Sequence, residues 1–167
     1  YIQIKPTILT GWNVEFFDVN YLYNRAVQVV GQDVANLLSP IAQVQWSEFS
    51  KRYKIAGVSV LDYLALYKTF TFGQRSSYRL DAIGEYEVGE KKVEYEGTLN
   101  DLYENDIDKF VQYNLQDVKL VKKIDEKLNF IEIGRGIAHL GHCPYEDVFM
   151  SSRYLEGAIL VLSLIHI

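Results

Sequence analysis

Two acids and a phenol stand out as residues that could do chemistry. Asp18 lies within TGWNVEFFDVNYLYNR (Thr10–Arg25), at the seam between a short apolar run and an amphipathic period. Tyr113 and Asp117 lie within YNLQDV (Tyr113–Val118). Their four-residue spacing puts both on one face of a helix, one turn apart. The period assigns the neighbouring Val111 and Val118 to the buried stripe, which sets Asp117 at the border of the core. A carboxylate there is costly unless it is paired, hydrogen-bonded or bound to a metal. Taken singly, each has an ordinary reading. Asp before an amphipathic helix is a common N-cap worth about 1 kcal/mol, and Tyr-x-x-x-Asp recurs by chance.

Other stretches carry weaker signals. FTFGQRSSYRLD mixes Arg75, Tyr78 and Arg79 with aromatics. Such interleaving can follow a single strand of nucleic acid by stacking and phosphate pairing, although a loop beside a helix accounts for it too. His139, His142 and Cys143 form HLGHC, where three nearby ligands without a partner motif read as a structural turn. Trp12 and Trp46 read as core. DVKLVKKIDEKL reads as a solvated helix face with ion-pair spacing.

The elements that must position these groups alternate between strand and helix. TILTGW (Thr7–Trp12) is a strand closed by Gly. From Asp18 to about Val30 the period is helical, with Val19, Leu22, Ala26 and Val29/Val30 on the apolar face, and Gly31 ends it. Gln32–Leu38 continues as a turn or two before Ser39-Pro40. Gln43–Phe49 and Arg52–Ile55 suit a hairpin, and Gly57–Leu61 a buried strand. Asp62 caps a helix to Thr69. Another helix runs from about Leu80 to Tyr86, and GEKKVEYEG (Gly89–Gly97) is a charged loop or short ribbon bounded by two glycines. Asn105 or Asp106 caps a long helix whose stripe is Ile107, Phe110/Val111, Asn114, Val118, Val121, Ile124/Asp125 and Leu128. Phe130–Ile133 is a strand start, loosened by the glycines that follow. The expected class is α/β.

Composition bounds the functions. The 167 residues are 49% hydrophobic and 23% charged, which is globular, and the length suits one domain or one with a piece of another. A net charge of −5 gives no general pull toward nucleic acid, so any such binding must use a local groove. One cysteine excludes an internal disulfide and fits a reducing, cytoplasmic compartment. No apolar run reaches the length of a membrane span and no signal-peptide pattern occurs. The 13 Tyr and 8 Phe could build a core or stack on bases.

The two motifs together resemble something specific. GWNVEFFDVNYLYNR resembles the second exonuclease motif of family B DNA polymerases in the form found in T4-like phages, and YNLQDV resembles their third. The intervening VSVLDYLALYKTFTFGQRSSYRLDAIGEYEVGEKKVEYEG is similar to the same region throughout. YEDVFMSSRYLEGAIL resembles the exit of that domain toward the palm. The resemblance spans residues 7 to 161. It implies a ribonuclease H-like 3′–5′ proofreading domain of the DEDDy type, acting on the single-stranded 3′ end of a primer in the cytoplasm of the host cell. Two Mg²⁺ ions, or Mn²⁺, about 3.5–4 Å apart would clamp the attacking water and the leaving oxygen. By carry-over, Asp18 and Asp117 are metal ligands and Tyr113 orients the water. Asn13 braces the site, and Phe17 packs beside the terminal nucleotide. Lys92 matches in spacing a lysine near the site in the relatives, where a cation steadies phosphate; the alternative is a solvated loop lysine. Implied partners are DNA, the remainder of the polymerase, a sliding clamp and other replisome proteins, with no membrane.

The departures count as well. The family places an Asp-x-Glu pair on an earlier strand, and residues 1–10 hold no Asp or Glu. The chain is therefore expected to be a fragment truncated at its N-terminal strands. The parent would proofread and the fragment alone would not. Residues 1–130 would be the partial exonuclease domain and 131–161 the connection toward the palm. Residues 162–167, LSLIHI, match the translation of a sequencing adapter. Polymerase signatures such as D-x-x-S-L-Y-P are not found in this stretch, so nucleotide addition would belong to the parent. The rival reading is a non-catalytic module that binds single-stranded nucleic acid on the same fold, with its acids serving as caps.

Overall fold

A computed structural model of the chain describes residues 3–90 and 99–165. It divides into two compact units, Tyr1–Thr71 with Phe130–Ile167, and Phe72–Asn129. The class is mixed α/β, as the alternating periods predict.

In the first unit, strand β1 (Ile8–Gly11) pairs in parallel with β4 (Ser59–Asp62), with Gly11 opposite Asp62. Helix α1 (Asp18–Val30), a short α2 (Gln32–Ala35) and a 3₁₀ turn (Asn36–Leu38) lead from β1 to an antiparallel hairpin, β2 (Val44–Ser47) and β3 (Arg52–Ile55). One core gathers Val14, Val19, Ile55, Val58 and Val60, with Leu9, Leu38, Val44 and Tyr53 against it. Helix α3 (Tyr63–Phe70) leaves β4 directly and packs on α7 (Phe130–Gly141), where Phe130 meets the rings of Tyr63, Tyr67 and Phe70. A 3₁₀ turn (Tyr145–Phe149) and α8 (Ser151–Ile165) follow.

In the second unit, α4 (Leu80–Val88) and α5 (Leu99–Asn105) pack against α6 (Ile107–Leu128). Asp106 caps α6 by accepting the Lys109 N–H at 2.9 Å. Gly84 of α4 lies so close to α6 that a methyl group there would meet Leu120 Cδ2 at 2.7 Å.

Four expectations need correction. Phe130–Ile133 opens helix α7, not a strand. Asn129, left-handed at φ 54°, ends α6, and the next residues re-enter a helix at once. Phe130, Gly134, Ala138 and Gly141 then fall on its buried face, so two of the glycines serve close packing. On α1 the buried pair is Val19 and Tyr23, while Leu22, Val29 and Val30 are exposed. Two apolar stripes overlap on that helix, and the hairpin selects the one that brings Tyr23 onto Tyr53, centroids 4.4 Å apart. On α6 the buried residues are Leu120, Val121 and Ile124, whereas Val111 and Val118 are exposed. Twenty-two residues span about 33 Å, but the nine of α4 span only about 13 Å, so part of the stripe finds no cover there. Trp46 is not core. It lies on the hairpin against Tyr53, with its indole N–H on Glu48 at 2.9 Å.

Candidate functional site

The segment before Asp18 is built by what holds it. β1 ends at Gly11, and Trp12 turns aside to stack near Tyr63 and Tyr67, centroids 6.3 and 6.0 Å away. Asn13 takes a left-handed conformation, φ 60°, which Asn tolerates better than most residues. Val14 enters the core. The buried carboxylate of Asp62 accepts the Asn13 N–H at 3.0 Å and the Glu15 N–H at 3.4 Å. It also accepts the Leu64 N–H at 2.9 Å, the cap of α3 that the sequence predicts. Phe16 and Phe17 stand exposed.

Asp18 is the first residue of α1 and does not cap it. The cap position is Phe17, which offers no side-chain bond. An acid in the first turn still favours the positive end of the helix dipole. Desolvation raises the Asp18 carboxyl above its ordinary value; its own N–H opposes this, and the Asp62 charge adds to the rise. Glu15 is raised as well, first by burial, against the pull of its ion-pair partner Arg52. The guanidinium of Arg52 also lies 5.9 Å from the Phe16 ring centre. Asn20, two residues after Asp18, accepts the Tyr53 N–H at 3.0 Å and donates to the Phe16 and Lys51 carbonyls. The start of α1 is thus stitched to the hairpin.

Tyr113 and Asp117 belong to the second unit, one turn apart on α6, both half-buried. The same face continues one turn on to Leu120 and Val121 and then Ile124, all buried. Asp117 therefore does border the core, through those three residues and not through Val111 and Val118.

Arg75 is engaged within its own unit. Its guanidinium sits 4.0 Å from the Tyr86 ring centre and 3.7 Å from Glu87, and the Arg75 backbone N–H donates to the Tyr78 hydroxyl at 3.4 Å. Lys92 lies outside the described residues. His139 lies in the last turn of α7, and the turn comes only after Gly141, at His142–Cys143, with the Cys143 N–H reaching the Ala138 carbonyl at 3.1 Å. The solvated face of α6 carries one ion pair of the expected spacing, Lys122 with Glu126 at 3.6 Å, while Lys127 instead reaches Glu87 of α4 at 3.0 Å. Among the described residues no three or more His, Cys, Asp and Glu gather in a group that could hold a metal ion. Nor is any described helix long and apolar enough to cross a membrane. Local sequence reading missed the second role of Asp62, because its partners Asn13 and Glu15 lie 49 and 47 positions away.

Comparison with known proteins now bears on these residues. Residues 1–83, which include Asp18 and Asp62, match the family model for the exonuclease domain of family B DNA polymerases. The chain is 37% identical to the DNA-directed DNA polymerase of Escherichia phage RB69 over 163 residues. It is 35% identical to that of Enterobacteria phage T4 over the same length.

The chain belongs to the family B DNA polymerases.

Each phage alignment covers 94% of this chain but only 18% of the relative. A DNA polymerase of guinea pig cytomegalovirus is 25% identical over 169 residues, 91% of this chain and 15% of that protein. This family B segment thus spans under a fifth of the length of the curated relatives it matches. The Asp18 motif lies inside the matched exonuclease domain, and the Tyr113 motif inside the phage alignments.

Proposed function

We propose that this chain is the proofreading portion of a replicative polymerase, in which a ribonuclease H-like domain removes mispaired 3′-terminal nucleotides as deoxynucleoside monophosphates. The observation that carries this reading is the exonuclease-domain match over residues 1–83, joined to phage polymerase alignments that extend over Tyr113 and Asp117. Asp18 and Asp117 are the metal-ligating carboxylates and Tyr113 orients the hydrolytic water. Their oxygen donors are of the type that Mg²⁺ or Mn²⁺ prefers. The described residues alone do not gather a full cage, so an Asp-x-Glu pair from the parent would complete it. When bound, the ions activate water and stabilise the leaving oxygen. Asn13 and Phe17 serve the 3′-terminal nucleotide, with Arg75, Tyr78 and Lys92 as further contacts to the strand. Residues 131–161 form the connection toward the palm. DNA, the rest of the polymerase and a sliding clamp are the partners.

Full-length parent polymerase tests this. Asp18→Ala or Asp117→Ala should each lower 3′–5′ degradation of single-stranded DNA by more than about 100-fold, beyond the usual cost of losing an outer-shell partner. Nucleotide addition should persist. Unchanged degradation in both variants would refute the assignment. A parent that binds single strands without hydrolysing them would leave the non-catalytic module in its place.

A further inference from the structure

Among the buried titratable groups of the first unit, Asp62 has a hydrogen-bond pattern that exceeds what its own helix needs. It is 4% exposed. An N-cap requires one acceptor for one helix N–H, and the Leu64 bond meets that need. The other two bonds go to Asn13 and Glu15, in the turn that leads to Asp18. We propose that Asp62 is a positioning residue for Asp18: its sealed carboxylate fixes the turn from which Asp18 is delivered to the proofreading reaction. This rests on the function proposed above.

The turn is gripped from alternate sides. Trp12 lies against the rings of Tyr63 and Tyr67, and Val14 enters the core. Asn13 and Glu15, which alternate with them, are held by the two oxygens of Asp62. The left-handed Asn13 is a conformation that persists where its surroundings determine it. The hold passes on to both neighbours of Asp18. The Phe17 N–H donates to the Asn13 carbonyl at 3.3 Å, and the Val19 N–H to the Val14 carbonyl at 3.0 Å. Asp62 is also in register with Gly11, the last residue of β1, so strand pairing and carboxylate act on the same few residues. A reacting group displaced by about 1 Å can lose on the order of 100-fold in rate, so a fixed turn has a direct kinetic consequence.

Asp62→Asn separates positioning from capping. Asn caps helices as well as Asp does, so α3 keeps its start. One arm of the side chain becomes an amide that cannot accept an N–H, so one tie to the turn is lost. In the full-length polymerase carrying these residues, two readouts apply. Hydrogen exchange should quicken by about tenfold or more over residues 13–18 while the first turn of α3 keeps its protection. On single-stranded DNA, kcat should fall by about tenfold or more with KM within about twofold of wild type, the pattern of a group misplaced in the transition state and not of lost substrate binding. If Asp62→Asn fails to fold, Asp62→Ser, which also caps but is too short to span to the turn, carries the same comparison. Wild-type exchange over 13–18 together with wild-type kcat would overturn the proposal. A wild-type parent without 3′–5′ hydrolysis would instead overturn the functional reading, while the exchange arm still decides whether Asp62 fixes the turn.

Discussion

At the scale of the residue, the carboxylates of the first unit show what a local reading can and cannot reach. Asp62 is legible as a cap because an acid precedes an apolar helical period. Its ties to Asn13 and Glu15 are not legible, because strand pairing brings together residues far apart in the chain. Asp18 posed the opposite problem. Its place at a strand–helix seam fits a cap, yet Phe17 takes the cap position and the acid is left outside that duty. Glu15 gives a test of the electrostatics. Burial is the main cause that holds its carboxyl above its ordinary value; Arg52 and Lys54 oppose the rise, and Asp62 and Glu146 add to it. A group whose folded pKa is raised favours the folded state below its unfolded value, and that contribution is lost as pH rises through the folded value. Stability of the first unit should therefore decline as pH climbs from about 4.5 upward through the carboxylate range. Glu15→Gln should flatten that decline. Denaturant midpoints measured at a series of pH values check this, and equal slopes for variant and wild type would count against it.

At the scale of the element, boundaries were legible and faces less so. Periodicity places α1 and α6, and the hairpin and α3 are marked by their flanking turns and cap. Which stripe of α1 is buried depends on Tyr53, and how much of α6 is covered depends on the length of α4. Neither is a property of the helix itself. The segment after Asn129 misled for a related reason. Glycines that look like loop formers are here contact points between helices. A methyl group on Gly141 would meet Tyr154 Cβ at 2.5 Å, and one on Gly157 would collide with the Gly141 carbonyl. Gly136, by contrast, faces open space in the middle of α7. Gly157→Ala should destabilise by about 1–3 kcal/mol through overpacking. Gly136→Ala should stabilise by up to about 1 kcal/mol, the helix-propensity difference. Opposite shifts in thermal midpoint are expected from one and the same chemical change. Shifts of the same sign would mean that α7 and α8 do not cross at these glycines.

At the scale of the whole molecule, composition pointed to an acidic globular chain, and only motifs brought it to the polymerase family. The chain spans 18% of each phage relative, and α8 carries an exposed apolar face. Tyr154, Gly157, Ala158 and Val161 are half-buried on one side of it. Leu155, Ile159 and Leu162, spaced to share the opposite face, are 52%, 64% and 59% exposed. A contiguous apolar stripe in water favours association. Lysine at these three positions removes the stripe and costs little helix propensity, since Lys ranks close to Leu. The triple variant of the 167-residue chain should remain soluble at higher concentration and bind less of a hydrophobic dye, with unchanged helical circular dichroism. Loss of helicity would show that these side chains support the fold. Unchanged dye binding would place the sticky surface elsewhere, for instance on the exposed Val29, Val30, Val34 and Leu37 of the helical segment after β1.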